Sequence, residues 1–305
     1  MVPKTMKAAL CTEPGAPIVI AQIPTPTPSP RHLLVRVEAA TLCHSDIAIT
    51  ESGGFGLATF PLVIGHEAVC TVEELGSSAA AYGFKAGDRV GAPLWRDICL
   101  TCDECTRIGP QFCPNANMMG LSAPGYFCEY TLVDAACAVK IPSGKTVQAA
   151  ELSPLFCAGI TVWDAISRAE LKAGETVAVV GVGGLGEMAV KYVRAMRVGG
   201  HDDGGMGKVL ALDVCEGQLR GVLEAGLVDG VVNTGTVGGV EAEAEAVRRL
   251  NGGRLVDVAV VTSGALRAYE TGIGILRPEG RLIAVGVPVE NVSLPMISIV
   301  NRALK

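Results

Sequence analysis

Cys99, Cys102, Cys105 and Cys113 fall in the run CLTCDECTRIGPQFC, with spacing C-x2-C-x2-C-x7-C. One loop can fold four thiolates at that spacing around a single tetrahedral metal ion, and zinc suits four sulfur donors. A site closed by four thiolates has no open coordination position, so this cluster organises a lobe and leaves the chemistry to other residues. A disulfide-rich secreted module is the competing reading. Against it stand an odd total of 11 cysteines and an N-terminus, MVPKTMKAALCTEPG, with too short an apolar stretch for a signal peptide. Cys11, Cys70, Cys128, Cys137 and Cys215 are then expected to be free thiols packed as small hydrophobes in a reducing cytosol.

Three further residues could make an open metal site: Cys43 in CHSD, His66 in GHE and Cys157 in PLFCAGITVW. Taken singly, a cysteine is a common core residue and a histidine a satisfied polar group. Together, two thiolates and an imidazole would leave a fourth position for water or substrate.

The segment TVAVVGVGGLGEMAVKYVRAM places Gly181, Gly183 and Gly186 between an apolar strand and an apolar-periodic helix, with Gly184 and Leu185 inside the same turn. That is the strand-turn-helix setting a dinucleotide fingerprint requires. Gly181 would permit the tight turn, Gly183 the approach of a pyrophosphate and Gly186 close helix-strand packing, with the helix N-terminus facing the phosphates. The plain alternative is an ordinary glycine-rich turn. The next strand, KVLAL, ends at Asp213, whose carboxylate could bind an adenosine ribose and repel a 2'-phosphate, favouring NAD over NADP. The insert RVGGHDDGGMG lengthens the spacing beyond the usual ~20 residues, so Asp213 also reads as a strand-end turn residue, and His201 within the insert as a solvated loop residue.

These candidates need two different scaffolds. The first half is built of short apolar runs, KAALC, IVIAQIP, LLVRVEAAT, PLVIGHEAVCTVEEL and GDRVGAP, which predict a mostly β lobe carrying the cysteine loop. Thr25 to Pro30 alternates Pro with small hydroxyl residues and reads as an extended connector. From about Glu151, helix-length segments alternate with strands apolar on both faces (TVAVVG, KVLALD, VDGVVNT, LVDVAVVT, RLIAVG), which predicts a doubly wound parallel sheet. The expected class is α/β, with domains at 1–150 and 151–290 and a remainder at 291–305. With 305 residues, 49% hydrophobic and 18% charged, the chain can bury two cores. A net charge of -6 without a basic run speaks against a nucleic-acid surface, and no stretch of 18 uninterrupted apolar residues suggests a membrane span, so a soluble, cytoplasmic protein is expected.

In their order along the chain, CHSD, PLVIGHE, GDRVG, the four-cysteine loop, FCEYTLVDA, PLFCAGITVW, GVGGLG and LRPEGRLIAVG resemble the zinc-dependent medium-chain alcohol dehydrogenases, most of all the yeast type. The likeness runs from the N-terminus to the last residue, and it is the ordered set that is specific. It implies a GroES-like catalytic domain followed by a Rossmann domain, two zinc ions per chain and NAD. It also implies a small alcohol or carbonyl substrate and a homo-oligomer. By that resemblance Cys43, His66 and Cys157 would bind the catalytic zinc, with Glu67 beside it or as an alternate ligand and Asp46 orienting the His66 ring. His44 would sit by the cofactor pyrophosphate and Thr161 near the nicotinamide, while the Ser45 hydroxyl would take the proton from the alcohol and pass it through the cofactor ribose towards solvent. In the family a histidine often ends that proton relay where this chain has Ala48, so proton release is expected to depend on water or buffer.

Two departures shape the expectations. Glu51 to Phe60 replaces the aromatic-bearing segment that forms a small-alcohol pocket in the yeast-like enzymes, so the substrate is open. The end, SLPMISIVNRALK, stops where the family enters another strand, which predicts an unpaired apolar sheet edge at a place that helps form the family's dimer. A truncated relative that binds zinc and cofactor without turnover is the alternative. A zinc-ribbon nucleic-acid binder would need a basic surface, and a zinc-free quinone reductase would not need Cys43, His66 and Cys157 together.

Overall fold

The computed structural model describes residues 1–54, 56–144, 147–199 and 207–305, so His201 and most of the glycine-rich insert lie outside the described residues. The chain forms two compact units, Met1–Cys157 and Ala158–Lys305. The division falls at Cys157 and not at 150, because the short helix Ala149–Leu152 and the 3-10 turn Ser153–Phe156 pack on strands of the first unit. Residues 291–305 belong to the second unit.

Alternating burial builds the first unit. Its strands are β1 (Thr5–Cys11), β2 (Val19–Pro24), β3 (His32–Ala40), β4 (Leu62–Val63), β5 (Ala68–Leu75), β6 (Arg89–Ala92), β7 (Trp95–Arg96), β8 (Asn117–Met118), β9 (Tyr130–Asp134) and β10 (Val139–Lys140). They pair as a five-stranded sheet in the order β10-β6-β5-β3-β9, a three-stranded sheet β2-β1-β4 and the ribbon β7-β8. Leu33, Val35, Val72, Val90, Tyr126 and Val133 fill the core under the larger sheet. Two short helices carry site residues: α1 (His44–Ser52) after β3, and α2 (Asp103–Arg107) inside the cysteine loop. Thr25 to Pro30 is irregular, as its prolines require.

The run PLVIGHEAVCTVEEL does not form one strand. It breaks between β4 and β5 at Ile64 to Glu67, where Gly65 takes φ +96°, a left-handed backbone that a side-chain-bearing residue rarely adopts. That break turns His66 and Glu67 out of the ladder.

The second unit begins with α3 (Ala158–Arg168) and runs through β11 (Val177–Val180), α4 (Gly184–Gly199), β12 (Val209–Asp213), α5 (Glu216–Glu224), β13 (Gly230–Asn233), α6 (Val240–Leu250), β14 (Val256–Val261), α7 (Leu266–Gly274), β15 (Leu276–Ala284) and α8 (Met296–Asn301). The five strands are parallel in the order β13-β12-β11-β14-β15. Both faces are buried, which the apolar strands demand. Val177, Val179, Val258 and Val260 enter one core, and Ala178, Val180, Ala259 and Val261 the other. The order reverses at β11, where β12 lies on one side and β14 on the other, and such a switch point is where open α/β sheets bind ligands.

The outer edge of β15 is not left bare. Glu279 N–H donates to the Arg302 carbonyl (2.7 Å), Lys305 N–H to the Gly280 carbonyl (3.0 Å) and Leu282 N–H to the Lys305 carbonyl (2.8 Å), so residues 302–305 pair with part of the edge expected to be open.

Candidate metal centres and cofactor turn

The four-cysteine loop is held open by its own backbone. Cys102 N–H points at Cys99 Sγ (3.3 Å), Cys105 N–H at Cys102 Sγ (3.4 Å) and Cys99 N–H at Cys113 Sγ (3.4 Å), so peptide dipoles already face the sulfurs. Cys102 caps α2, and Leu100 adopts φ +60° to turn the chain between the first two cysteines. Sulfurs 2.3 Å from a tetrahedral zinc stand about 3.8 Å apart. Cys99 Sγ lies 3.9 Å from Cys105 Sγ and 3.6 Å from Cys113 Sγ, and all four Sγ atoms are within 4.8 Å of one another. The donor set therefore fits a tetrahedral thiophilic ion.

The loop entrance is anchored by a polar network. Asp97 accepts from Arg96 Nε (3.1 Å) and Asn117 Nδ2 (3.0 Å) and lies 2.8 Å from His32 Nε2, while its own N–H donates to Asp134 Oδ2 (2.8 Å). Arg31 binds Asp134 (2.7 Å) and the Ile98 carbonyl (2.8 Å), which ties β3 and β9 to the residue preceding Cys99.

The second cluster joins three distant stretches of the first unit. Cys43 Sγ, a ring nitrogen of His66 and Cys157 Sγ lie within 4.8 Å of one another, and among the described residues only this group and the four-cysteine loop gather ligands so closely. Asp46 organises two of the three. Standing one turn into α1, it reaches back to the Cys43 N–H with Oδ2 (2.9 Å), and its Oδ1 binds His66 Nδ1 at 2.8 Å. With Nδ1 committed to the fully buried carboxylate, Nε2 is the nitrogen left to face a metal. Glu67 is buried beside the cluster.

The unbound side chains share protons in a definite way. A hydrogen bond from Cys157, helped by one from His66, lowers the Cys43 thiol against the effect of burial. The same bond to Cys43, with burial and the nearby charges of Cys43 and Glu67, raises Cys157. Burial works against protonated His66, but hydrogen bonds to Asp46 and Cys43 outweigh it and hold the ring up at about 10. With His66 and Cys157 raised and Cys43 lowered, a divalent ion must displace protons to bind.

Close backbone packing sets the height of His66. A Cβ on Gly65 would stand 2.8 Å from the Phe127 ring, one on Gly125 2.1 Å from the Gly65 carbonyl, and one on Gly120 2.7 Å from the same oxygen. Only glycines allow these segments to meet.

In the second unit the glycine-rich turn lies between β11 and α4, at the switch point. Gly181 takes φ +91°, and a Cβ on Gly186 would fall 1.8 Å from the Gly181 carbonyl, so both are required by the turn and its packing. Gly183 and Gly184 instead face open space, with nothing within 4 Å of a built Cβ. The N–H groups at the start of α4 have no partners within the helix and can receive an anion there. Asp213, at the end of β12, turns Oδ2 to the Val182 N–H (2.6 Å) and Oδ1 to the Cys215 N–H (2.8 Å). A carboxylate with about four acceptor positions keeps capacity for a ribose hydroxyl.

The remaining candidates are placed as follows. His44 and Ser45 are exposed on the first turn of α1, with Ser45 Oγ 3.9 Å from Cys43 Sγ; Thr161 is exposed on α3. Leu185 is half-buried in the first turn of α4. None of the 11 cysteines is in a disulfide. Cys11 and Cys70 are buried and Cys128 and Cys137 half-buried, but Cys215 is exposed, because it precedes α5 at a strand end and not in a core. Sequence reasoning passed over Thr262, whose hydroxyl donates to the Gly181 carbonyl. Its only signal was a polar residue directly after the apolar run Val258 to Val261.

The family description "Alcohol dehydrogenase GroES-like domain" matches residues 29–143, and "Zinc-binding dehydrogenase" matches residues 184–305. An alcohol dehydrogenase of Rhizobium meliloti is 33% identical over 300 residues, covering 98% of this chain and 82% of the relative. One from Geobacillus stearothermophilus is 32% identical over 300 residues, covering 98% and 83%. Among solved structures, the alcohol dehydrogenase of Aeropyrum pernix superposes with a TM-score of 0.84 at 30% identity, over 98% of this chain and 83% of that one. A Sinorhizobium meliloti protein of the zinc-binding dehydrogenase type, solved bound to NADP, gives a TM-score of 0.85 at 26% identity, over 99% and 83%.

Proposed function

We propose that this chain, which belongs to the zinc-dependent medium-chain alcohol dehydrogenase family and is an oxidoreductase acting on alcohols, interconverts a primary or secondary alcohol with its aldehyde or ketone using NAD(H). The observation that carries the reading is the convergence of Cys43, His66 and Cys157 within 4.8 Å, with Asp46 bound to two of them. When bound at these donors, zinc supplies a Lewis acid that acidifies an alcohol hydroxyl, and a nicotinamide held by the second unit supplies the hydride acceptor.

The chain's own residues then have distinct tasks. Cys43, His66 and Cys157 hold the metal and leave one position for substrate, with Glu67 beside them as an alternate ligand. Asp46 fixes the tautomer and direction of the His66 ring while restraining the Cys43 backbone. The Ser45 hydroxyl would accept the alcohol proton while handing its own on through the cofactor ribose towards solvent, and His44 and Thr161 would contact the cofactor. Gly181, Gly183, Gly184, Leu185 and Gly186 cradle the pyrophosphate, and Cys99, Cys102, Cys105 and Cys113 hold a second, structural zinc. A reducing, cytoplasmic compartment suits these thiolates.

The test needs no guess at the substrate. Purified protein is expected to carry two zinc ions per chain and to reduce NAD in the presence of some members of an alcohol panel. A single zinc with no turnover would put the non-catalytic reading in its place. Asp213 ends β12 and Glu216 stands on the first turn of α5, and negative charge there would repel a 2'-phosphate, so NAD is expected to bind about tenfold or more tighter than NADP. A clear NADP preference in parallel titrations would remove Asp213 from the ribose site.

Position 48 tests the proton path. Ala48 lies on α1 with no titratable side chain. Ala48→His is expected to raise turnover several-fold below neutral pH and to weaken its dependence on buffer concentration. No gain in the pH-rate profile would show that the relay is not limited there.

A further inference from the structure

The peptide group between Gly181 and Val182 is held at both polar ends by side chains from the two strands that flank β11. Its carbonyl accepts a hydrogen bond from the Thr262 hydroxyl, just beyond β14, and its N–H donates to Asp213 Oδ2, 2.6 Å away at the end of β12. In a trans peptide the carbonyl and N–H point in opposite directions, and β12 and β14 lie on opposite sides of β11. The plane is therefore stretched between two strand ends and cannot rotate without breaking one of the bonds. Asp213 is itself fixed by the Cys215 N–H. Ser263, next to Thr262, lies 2.8 Å from where a Gly181 Cβ would stand, so packing closes the remaining freedom. Thr262 is only 8% exposed, and its other neighbour is a second acceptor, the Val180 carbonyl at 3.2 Å.

We infer that Thr262 is a positioning residue for the dinucleotide: its hydroxyl sets the Gly181–Val182 peptide plane and, through it, the direction of the N–H groups of Gly183, Gly184 and Leu185. This rests on the reading of that turn as the pyrophosphate cradle. A set of N–H donors binds an anion well only when they converge without reorganisation, and the plane preceding them decides where they point. Removing the hydroxyl also takes a donor from the part-buried Gly181 carbonyl, which gives the plane a reason to turn.

Thr262→Val removes the donor at nearly constant volume, and Thr262→Ser restores it without the methyl group. Both would be compared with wild type by fluorescence titration with NADH and NADPH and by steady-state kinetics. Zinc content would be measured on the same samples, and amide hydrogen exchange over residues 179–187 without cofactor. The valine variant is expected to keep its zinc, bind the preferred dinucleotide about tenfold more weakly and raise the dinucleotide KM with little change in kcat. The Val182 to Leu185 amides should exchange faster, and serine should return each value towards wild type. Unchanged binding and exchange in the valine variant would overturn the inference, as would a serine variant as impaired as valine. If wild type binds neither dinucleotide, the cofactor reading fails, and the exchange comparison still decides whether Thr262 locks the plane.

Discussion

Cys157→Ser is expected to leave one zinc ion per chain, in the four-cysteine loop, and to lower kcat/KM by about three orders of magnitude, roughly 4 kcal/mol of transition-state stabilisation. The serine hydroxyl stays protonated near neutral pH and is a poor zinc ligand, while Cys43 and His66 alone form a weak, open site. Metal analysis and kinetics on the same preparation check this. Retention of two ions with full activity would take Cys157 out of the ligand set. The same cluster sets a pH dependence. His66 and Cys157 are held protonated above their ordinary ranges, and Cys43 is held as thiolate. Zinc binding near neutral pH should then release about two protons, one from each of the raised groups, and affinity should fall as pH falls because protons compete for those ligands. Calorimetry in buffers of different ionisation enthalpy measures the number, and an affinity that rose on acidification would contradict the assignment.

Cys102→Ser carries the second large effect, on stability. Cys102 contributes a sulfur to the four-cysteine cluster, receives the Cys105 N–H and caps α2, so its loss removes a ligand and a helix start together. Structural zinc contributes on the order of 10 kcal/mol to small zinc-dependent folds. Here the network of Arg31, His32, Asp97 and Asp134 also anchors the loop, so a smaller share depends on the metal. A loss of about 4 kcal/mol, or ~10 °C in Tm, is expected together with one zinc per chain. Thermal unfolding with and without a chelator tests it: the wild type should lose stability to the chelator, and the variant little more. Equal melting curves for the two proteins would show that the loop stands without metal.

Features governed by local spacing were legible in the sequence. The four cysteines fit one loop by their intervals, and GVGGLG between an apolar strand and a helix marked the tight turn from β11 into α4. The two apolar faces of β11 and β14 announced a covered parallel sheet. What the sequence hid depends on contacts between distant segments. The break at Ile64 to Glu67 follows from Gly65 meeting Phe127, Gly120 and Gly125, and no period in PLVIGHEAVC marks it. The pairing of residues 302–305 with 279–282 is a backbone event, carried by no side-chain pattern. Cys215 was assigned to a core by residue type, yet its place just past a strand end exposes it. Thr262 escaped notice because a hydroxyl at a strand end looks like a solvated terminus until the neighbouring strand supplies its acceptor.

The glycines around His66 bear on how this protein can be altered. Gly65, Gly120 and Gly125 meet main chain to main chain or main chain to ring, and even an alanine at any of them would push aside the loop that carries His66. A mutant library meant to change the preferred alcohol should therefore hold these three codons fixed. Randomising them would discard variants through lost metal geometry and would be misread as intolerance of new substrates. Diversity is better directed to exposed side chains beside Cys43 that have no part in the proposed chemistry, such as Leu42 and Ile47, where a change in shape leaves the backbone contacts intact.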